Sequence, residues 1–143
     1  MPGAFVGLPI HHGRPHLTRA VWEGVASGLR DPLELTRSVG TLVAGPIRAT
    51  GGGSKSRLWR RIIADVLEAP VATTSTSEGA AQGAAMLAAV GLGWFESVEE
   101  ACRDLVTLND VIEPSSDSRV YDDAYARFRA LYPALAPTFH TTR

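Results

Sequence analysis

With 143 residues, the chain is long enough for one domain with one core, and 45% hydrophobic against 20% charged residues is ordinary globular composition that argues against disorder. A formal net charge of -1 gives no reason to expect nucleic acid or an acidic membrane as partner. Cys102 is the one cysteine, which excludes an internal disulfide and suits a reducing compartment. No apolar run approaches the ~20 residues that cross a bilayer. Met1–Pro9 lacks a basic stretch followed by a long apolar one, so no signal peptide is expected and a soluble cytoplasmic protein is the default.

Gly3-Ala4-Phe5-Val6-Gly7-Leu8 reads as a short buried strand. A polar stretch with Gly and Pro follows, and Leu17, Ala20, Val21, Val25 and Leu29 then recur at helical spacing. Pro15 suits the first turn of that helix, where its missing N–H is no loss. Asp31-Pro32 either kinks it or starts a new helix capped by Asp31. Pro46–Thr50 reads as a second strand running into Gly51-Gly52-Gly53, after which Ser54 opens a helix with Leu58, Trp59, Ile62, Ile63, Val66 and Leu67 as its stripe. Pro70–Thr74 is a third strand. Ser77 is expected to cap a small-residue helix from Gly79 to Val90, ended by Gly91. Ser97 and Glu100 match a capping box, with Val98, Ala101, Cys102 and Leu105 as the apolar stripe behind it. Past a polar break at Ser115–Ser118, Tyr121, Tyr125, Phe128 and Tyr132 share one face of a last helix, which Pro133 is expected to stop. Strands alternating with helices imply an α/β layered fold around a short three-stranded sheet. Three short strands are few for this many helices, so the sheet is expected to be part of a larger one, cut on its N-terminal side.

Few features could carry chemistry. A strand feeding a glycine-rich turn that opens a helix brings backbone close to a ligand, because glycine has no Cβ and a helix start offers unpaired N–H groups. The same pattern fits a tight turn with no ligand. It is not a P-loop, since Ser54 precedes Lys55, nor a dinucleotide fingerprint, since Ser56 stands where the third glycine belongs. His11, His12 and His16 have no carboxylate or cysteine at ligand spacing and read as loop surface. Lys55, Arg57, Arg60 and Arg61 read as a solvated helix face, with the option that one of them meets phosphate charge. Ala80, Gly83, Ala84 and Ala88 form a face with almost no bulk, suited to close packing on a sheet. Asp65, Glu68, Asp104 and Asp110 are expected on helices or their ends, where carboxylates are usually solvated. No catalytic set is visible.

A resemblance adds to this. Gly3–Leu8, a seven-residue spacer and His16-Leu17-Thr18-Arg19-Ala20-Val21-Trp22-Glu23 look like the C-terminal signature of the FGGY carbohydrate kinases. Gly51-Gly52-Gly53-Ser54-Lys55-Ser56-Arg57-Leu58-Trp59, Ala64-Asp65-Val66 and Glu78-Gly79-Ala80-Ala81-Gln82-Gly83-Ala84-Ala85 agree in order and spacing, and the ending with Leu131-Tyr132-Pro133 is similar to that family's tail. Within the family the chain most resembles xylulose kinases. The resemblance implies a partial actin-like, ribonuclease-H-like C-terminal domain over residues 1–143. It implies ATP and Mg2+ as cofactors, with the sugar bound in the full-length enzyme. It places Gly51, Gly52 and Gly53 against the adenosine part of ATP by backbone, Ser56 one turn into the helix near the adenine edge, and Glu78–Ala85 as the wall behind. The family's catalytic base, magnesium-handling carboxylates and sugar contacts lie upstream of any segment matched here, so this chain alone is expected to be inactive. The alternative is a non-catalytic truncated module that binds a partner or self-associates, most simply as a homodimer.

Overall fold

The computed structural model describes residues 3–41, 44–75, 79–116 and 118–140, and it divides into two compact units. The first holds Met1–Val43, Asp65–Glu68 and Ser115–Arg143; the second holds Ala44–Ala64 and Ala69–Pro114.

Helix α1, Arg14–Ser38, dominates the first unit. Pro15 stands in its first turn, and the Gly13 N–H is received by His16 Nδ1 at 3.2 Å. Pro32 lies inside this one continuous helix, so Asp31-Pro32 does not begin a new one. Helix α5, Val120–His140, likewise carries Pro133 and Pro137 within it. Pro133 therefore does not stop the helix. A proline ring holds a helical φ, and the lost bond to the preceding turn weakens a helix without always ending it. Tyr121, Tyr125 and Phe128 are half-buried, while Tyr132 is exposed. Arg30 is a buried charge of this unit. Its Nη2 donates to Asp122 Oδ1 at 2.8 Å, Glu68 lies 3.6 Å away, and the guanidinium stacks 4.6 Å from the Tyr125 ring centre. Asp65 is also buried, and its Oδ1 accepts the Ser115 N–H at 2.6 Å, which fixes the entry to α5.

Residues 3–8 form no strand. Phe5, Val6 and Leu8 are about half exposed, and Gly7 has a φ of 75°, which breaks an extended run. Strand conformation in water needs a hydrogen-bonded neighbour, and β-propensity alone does not supply one.

The second unit is built on a three-stranded sheet of order β1-β2-β3. Strands β1, Ile47–Ala49, and β2, Val71–Thr74, run parallel with Ile47 opposite Val71. Strand β3, Leu108–Ile112, pairs antiparallel with β2, with an irregularity between Val71 and Thr73. The remaining member of the sheet is thus not Gly3–Leu8 but Leu108–Ile112, which includes Asp110, expected on a helix or its end. Asn109 and Asp110 interrupt its apolar pattern, and Asp110 has a φ of 39°.

Helix α2, Arg57–Leu67, joins β1 to β2, the right way to connect parallel neighbours. Ile62 to Leu67 are all buried, and its last residues count with the first unit. Helix α3, Gly79–Gly91, buries Met86 and Ala89. Ala80, Ala84 and Ala88 are exposed and Gly83 is half-buried, so the small-residue face is not the packed one. A methionine removes more apolar area from water than an alanine, and that decides which side turns inward. Ser77, the expected cap, and Glu78 lie outside the described residues. Helix α4, Val98–Leu105, is capped as expected: Ser97 Oγ accepts the Glu100 N–H at 3.1 Å. Glu100 reaches back to the Glu96 N–H at 2.6 Å, one residue earlier than the capping-box pattern implies. Ala101 is fully buried behind it.

Candidate nucleotide site

Parallel β1 and β2 end on the same edge of the sheet, which is where open α/β sheets bind ligands. The chain leaves β1 through Thr50 and enters Gly51-Gly52-Gly53. At the same edge, a Cβ on Gly79 at the start of α3 would stand 3.7 Å from the Thr50 side chain. Thr50, the residue before the glycine loop, therefore stands beside the first residue of α3.

The loop has a definite shape. Gly51 takes φ 83° and ψ -176°, a combination open in practice only to glycine. Gly52–Lys55 then form one 3-10 turn. Ser54, expected to open a helix, is instead a buried member of that turn. Its hydroxyl donates to the Gly51 carbonyl at 2.7 Å, and its N–H reaches the same oxygen at 3.2 Å. Ser56 is not one turn into the helix. It sits at the junction of the turn and α2, and its Oγ accepts the Trp59 N–H at 3.3 Å as an N-cap. A short serine can supply that bond from the residue before a helix, and an extended φ/ψ of -80° and 110° allows it.

The glycines differ in their surroundings. Among the described residues, a Cβ placed on Gly51 or Gly52 would meet nothing within 4 Å. One placed on Gly53 would lie 3.4 Å from Trp59 Cδ1 and Nε1. The backbone at Gly51 and Gly52 thus faces open space in the direction a side chain would take. A ligand can come as close there as bare backbone permits.

The basic residues divide. Lys55, Arg57 and Arg61 are exposed around the loop, as a solvated face requires. Arg60 is not: it is buried, its Nη1 donates to the Asp110 carbonyl at 3.0 Å and its Nη2 to Asp110 Oδ2 at 2.6 Å. That bond from Arg60 holds the Asp110 carboxyl below its usual range. Asp110 accordingly lies on β3 as half of an ion pair, not on a helix as a free carboxylate. Residue types alone separate none of this, because the partner is 50 positions away.

His12 and His16 stack at 4.5 Å, and His11 meets His12 edge-on, all on the exposed surface of the first unit. Among the described residues no group of three or more His, Cys, Asp and Glu is placed to hold a metal ion. Nor, among them, is any helix long and apolar enough to cross a membrane.

Residues 1–92 match the FGGY family of carbohydrate kinases, C-terminal domain. The chain is 34% identical over 131 residues to the xylulose kinase of Staphylococcus epidermidis, covering 91% of this chain and 26% of that protein. It is similar in structure to a xylulose kinase from Rhodospirillum rubrum, at 38% identity and a TM-score of 0.82, over 98% of this chain and 28% of the other. A gluconate kinase from Lactobacillus acidophilus is similar at 27% identity and a TM-score of 0.88, covering 100% of this chain and 29% of its own. The chain thus spans about a quarter of the length of the relatives it matches. Its α/β fold is the actin-like, ribonuclease-H-like one of these kinases' C-terminal domain.

Proposed function

The chain belongs to the FGGY family of carbohydrate kinases, and from that premise we propose that it supplies the adenosine side of the nucleotide site of an ATP-dependent pentulose kinase, with D-xylulose as the sugar. On this reading the chain is one incomplete C-terminal domain of a cytoplasmic enzyme. The observation that carries it is the open space over Gly51 and Gly52 at the C-terminal edge of parallel β1 and β2. A nucleoside suits such a surface, because a flat base or ribose can approach the backbone most closely where no Cβ intervenes. Gly53 continues the loop, and Ser56 flanks it. Since one lone pair of the Ser56 hydroxyl already accepts the Trp59 N–H, its proton and second lone pair are what remain for an adenine contact.

On this reading the ligands of Mg2+ come from the rest of the enzyme. What the chain contributes is binding and orientation. In phosphoryl transfer, positioning the donor is a large part of catalysis, alongside charge neutralisation and a base that orients the acceptor. The chain by itself is therefore expected to bind nucleotide weakly and to phosphorylate no sugar.

Titration calorimetry with ATP and adenosine tests the placement. Gly52→Gln should abolish binding by filling the ligand's space, while the new Cβ meets nothing within 4 Å among the described residues, so the fold is expected to tolerate it. Equal affinity in Gly52→Gln would refute it. A second reading, self-association as a homodimer or a module that binds a partner, is favoured by one observation: Phe5, Val6, Leu8 and Ile10 are all at least half exposed.

A further inference from the structure

Building on the glycine-loop reading, we infer that Trp59 and Ser54 are positioning residues that hold the loop in its binding shape from behind, without touching the nucleotide. Three consecutive glycines have little conformational preference of their own. Left unsupported, such a loop would be ordered only on binding, and that ordering would be subtracted from affinity. Here two side chains order it beforehand. The Ser54 hydroxyl and N–H both engage the Gly51 carbonyl, at 2.7 and 3.2 Å, which fixes the peptide leaving the left-handed residue. The Trp59 indole edge stands 3.4 Å from where a side chain on Gly53 would begin, so the third glycine has a wall. The Ser56 N–H bonds to the Gly53 carbonyl at 3.1 Å, and Ser56 Oγ caps the Trp59 N–H, so the wall and the loop are tied to the same helix start. Gly51 and Gly52, by contrast, are open. The loop thus has a supported side and a free one, and among the described residues the support comes from Ser54, Ser56 and Trp59.

The roles follow from geometry. Ser54 is 9% exposed with its hydroxyl bonded to the Gly51 carbonyl, and the half-buried Trp59 sets its ring edge against Gly53, so both are assigned to the loop and not to the ligand. Their effect should fall on adenosine and ATP equally, because both use the same loop. The experiment uses the full chain and two probes, ATP and adenosine. Dissociation constants come from calorimetry, and amide hydrogen exchange is read at Ser54 and Ser56, whose N–H groups close the loop. Trp59→Ala is expected to weaken both ligands by about three- to tenfold and to speed exchange at both amides, and Trp59→Phe to restore most of each. Ser54→Ala removes one hydroxyl with little change in volume, and should act the same way if Trp59→Ala does not fold. Faster exchange with unchanged affinity would overturn the inference, leaving a merely structural role. Unchanged exchange and affinity in both variants would overturn it too. If Gly52→Gln abolishes binding while Trp59→Ala and Ser54→Ala leave it intact, the inference fails and the nucleotide reading stands. If the unaltered chain shows no saturable binding of either probe, the nucleotide reading fails and takes the positioning role with it.

Discussion

Replacing Gly51, Gly52 and Gly53 one at a time by alanine separates backbone strain from side-chain space within three consecutive residues. At Gly51 the new Cβ would meet nothing within 4 Å among the described residues, so no clash with them contributes. The whole penalty is conformational, since φ 83° with ψ -176° lies in a region that L-residues avoid at about 1–3 kcal/mol. At Gly52 the Cβ again meets nothing and φ is not positive, so alanine is accommodated. Each Gly→Ala change also restricts the unfolded chain, a stabilising term of about 0.4–1 kcal/mol. That term is common to both variants and cancels when they are compared. Gly51→Ala should therefore be less stable than Gly52→Ala by about 1–3 kcal/mol, or roughly 3–10 °C in melting temperature for a chain of this size. Gly53→Ala should sit beside Gly52→Ala, because 3.4 Å to the Trp59 ring is ordinary contact. The assay is thermal unfolding of the three variants side by side, supported by urea midpoints. Equal stability of Gly51→Ala and Gly52→Ala would refute the left-handed geometry assigned to Gly51, and with it the loop shape on which the site rests.

Arg60 makes two separate bonds to Asp110, and a lysine cannot reproduce both, so Arg60→Lys should lower the urea midpoint; an unchanged midpoint would mean the pair contributes nothing. The same bond depresses the Asp110 carboxyl, so its contribution is fully present above the ordinary carboxylate value of 3.8 and is lost as pH falls through the lower value in the folded state. The stability difference between the unaltered chain and Asp110→Asn should then be constant at neutral pH and shrink only in acid, and a difference that shrinks on raising the pH would have the wrong sign. Light scattering coupled to size exclusion should show concentration-dependent association through the exposed Phe5, Val6, Leu8 and Ile10, whereas a sharp monomer at high concentration would remove the case for a covered surface. A coupled ADP-release assay with D-xylulose, D-ribulose and glycerol should stay at background, and turnover with any of them would contradict the view that this chain contributes binding alone.

Local rules made much of this protein legible. The spacing of Leu17 to Leu29 marks α1, Ser97 marks the start of α4, and the step from Pro46–Thr50 into three glycines marks the β1 edge, because caps, periodicity and glycine act within a few residues. Some of the same segments, the start of α1 and the three glycines, also carry the family likeness. What the sequence could not decide depends on partners far along the chain. Whether an apolar run becomes a strand turns on a hydrogen-bonded neighbour: Gly3–Leu8 has none among the described residues, while Leu108–Ile112, weaker in pattern, is recruited by β2. Whether an arginine is solvated turns on a carboxylate 50 positions away, which converts Arg60 from surface charge to buried support. Even within the glycine loop, which was visible from the start, only the folded chain assigns the parts. Ser54 turns inward to hold Gly51, Ser56 caps the helix, and Trp59 backs Gly53, because hydroxyl direction and ring placement are settled by packing and not by residue type.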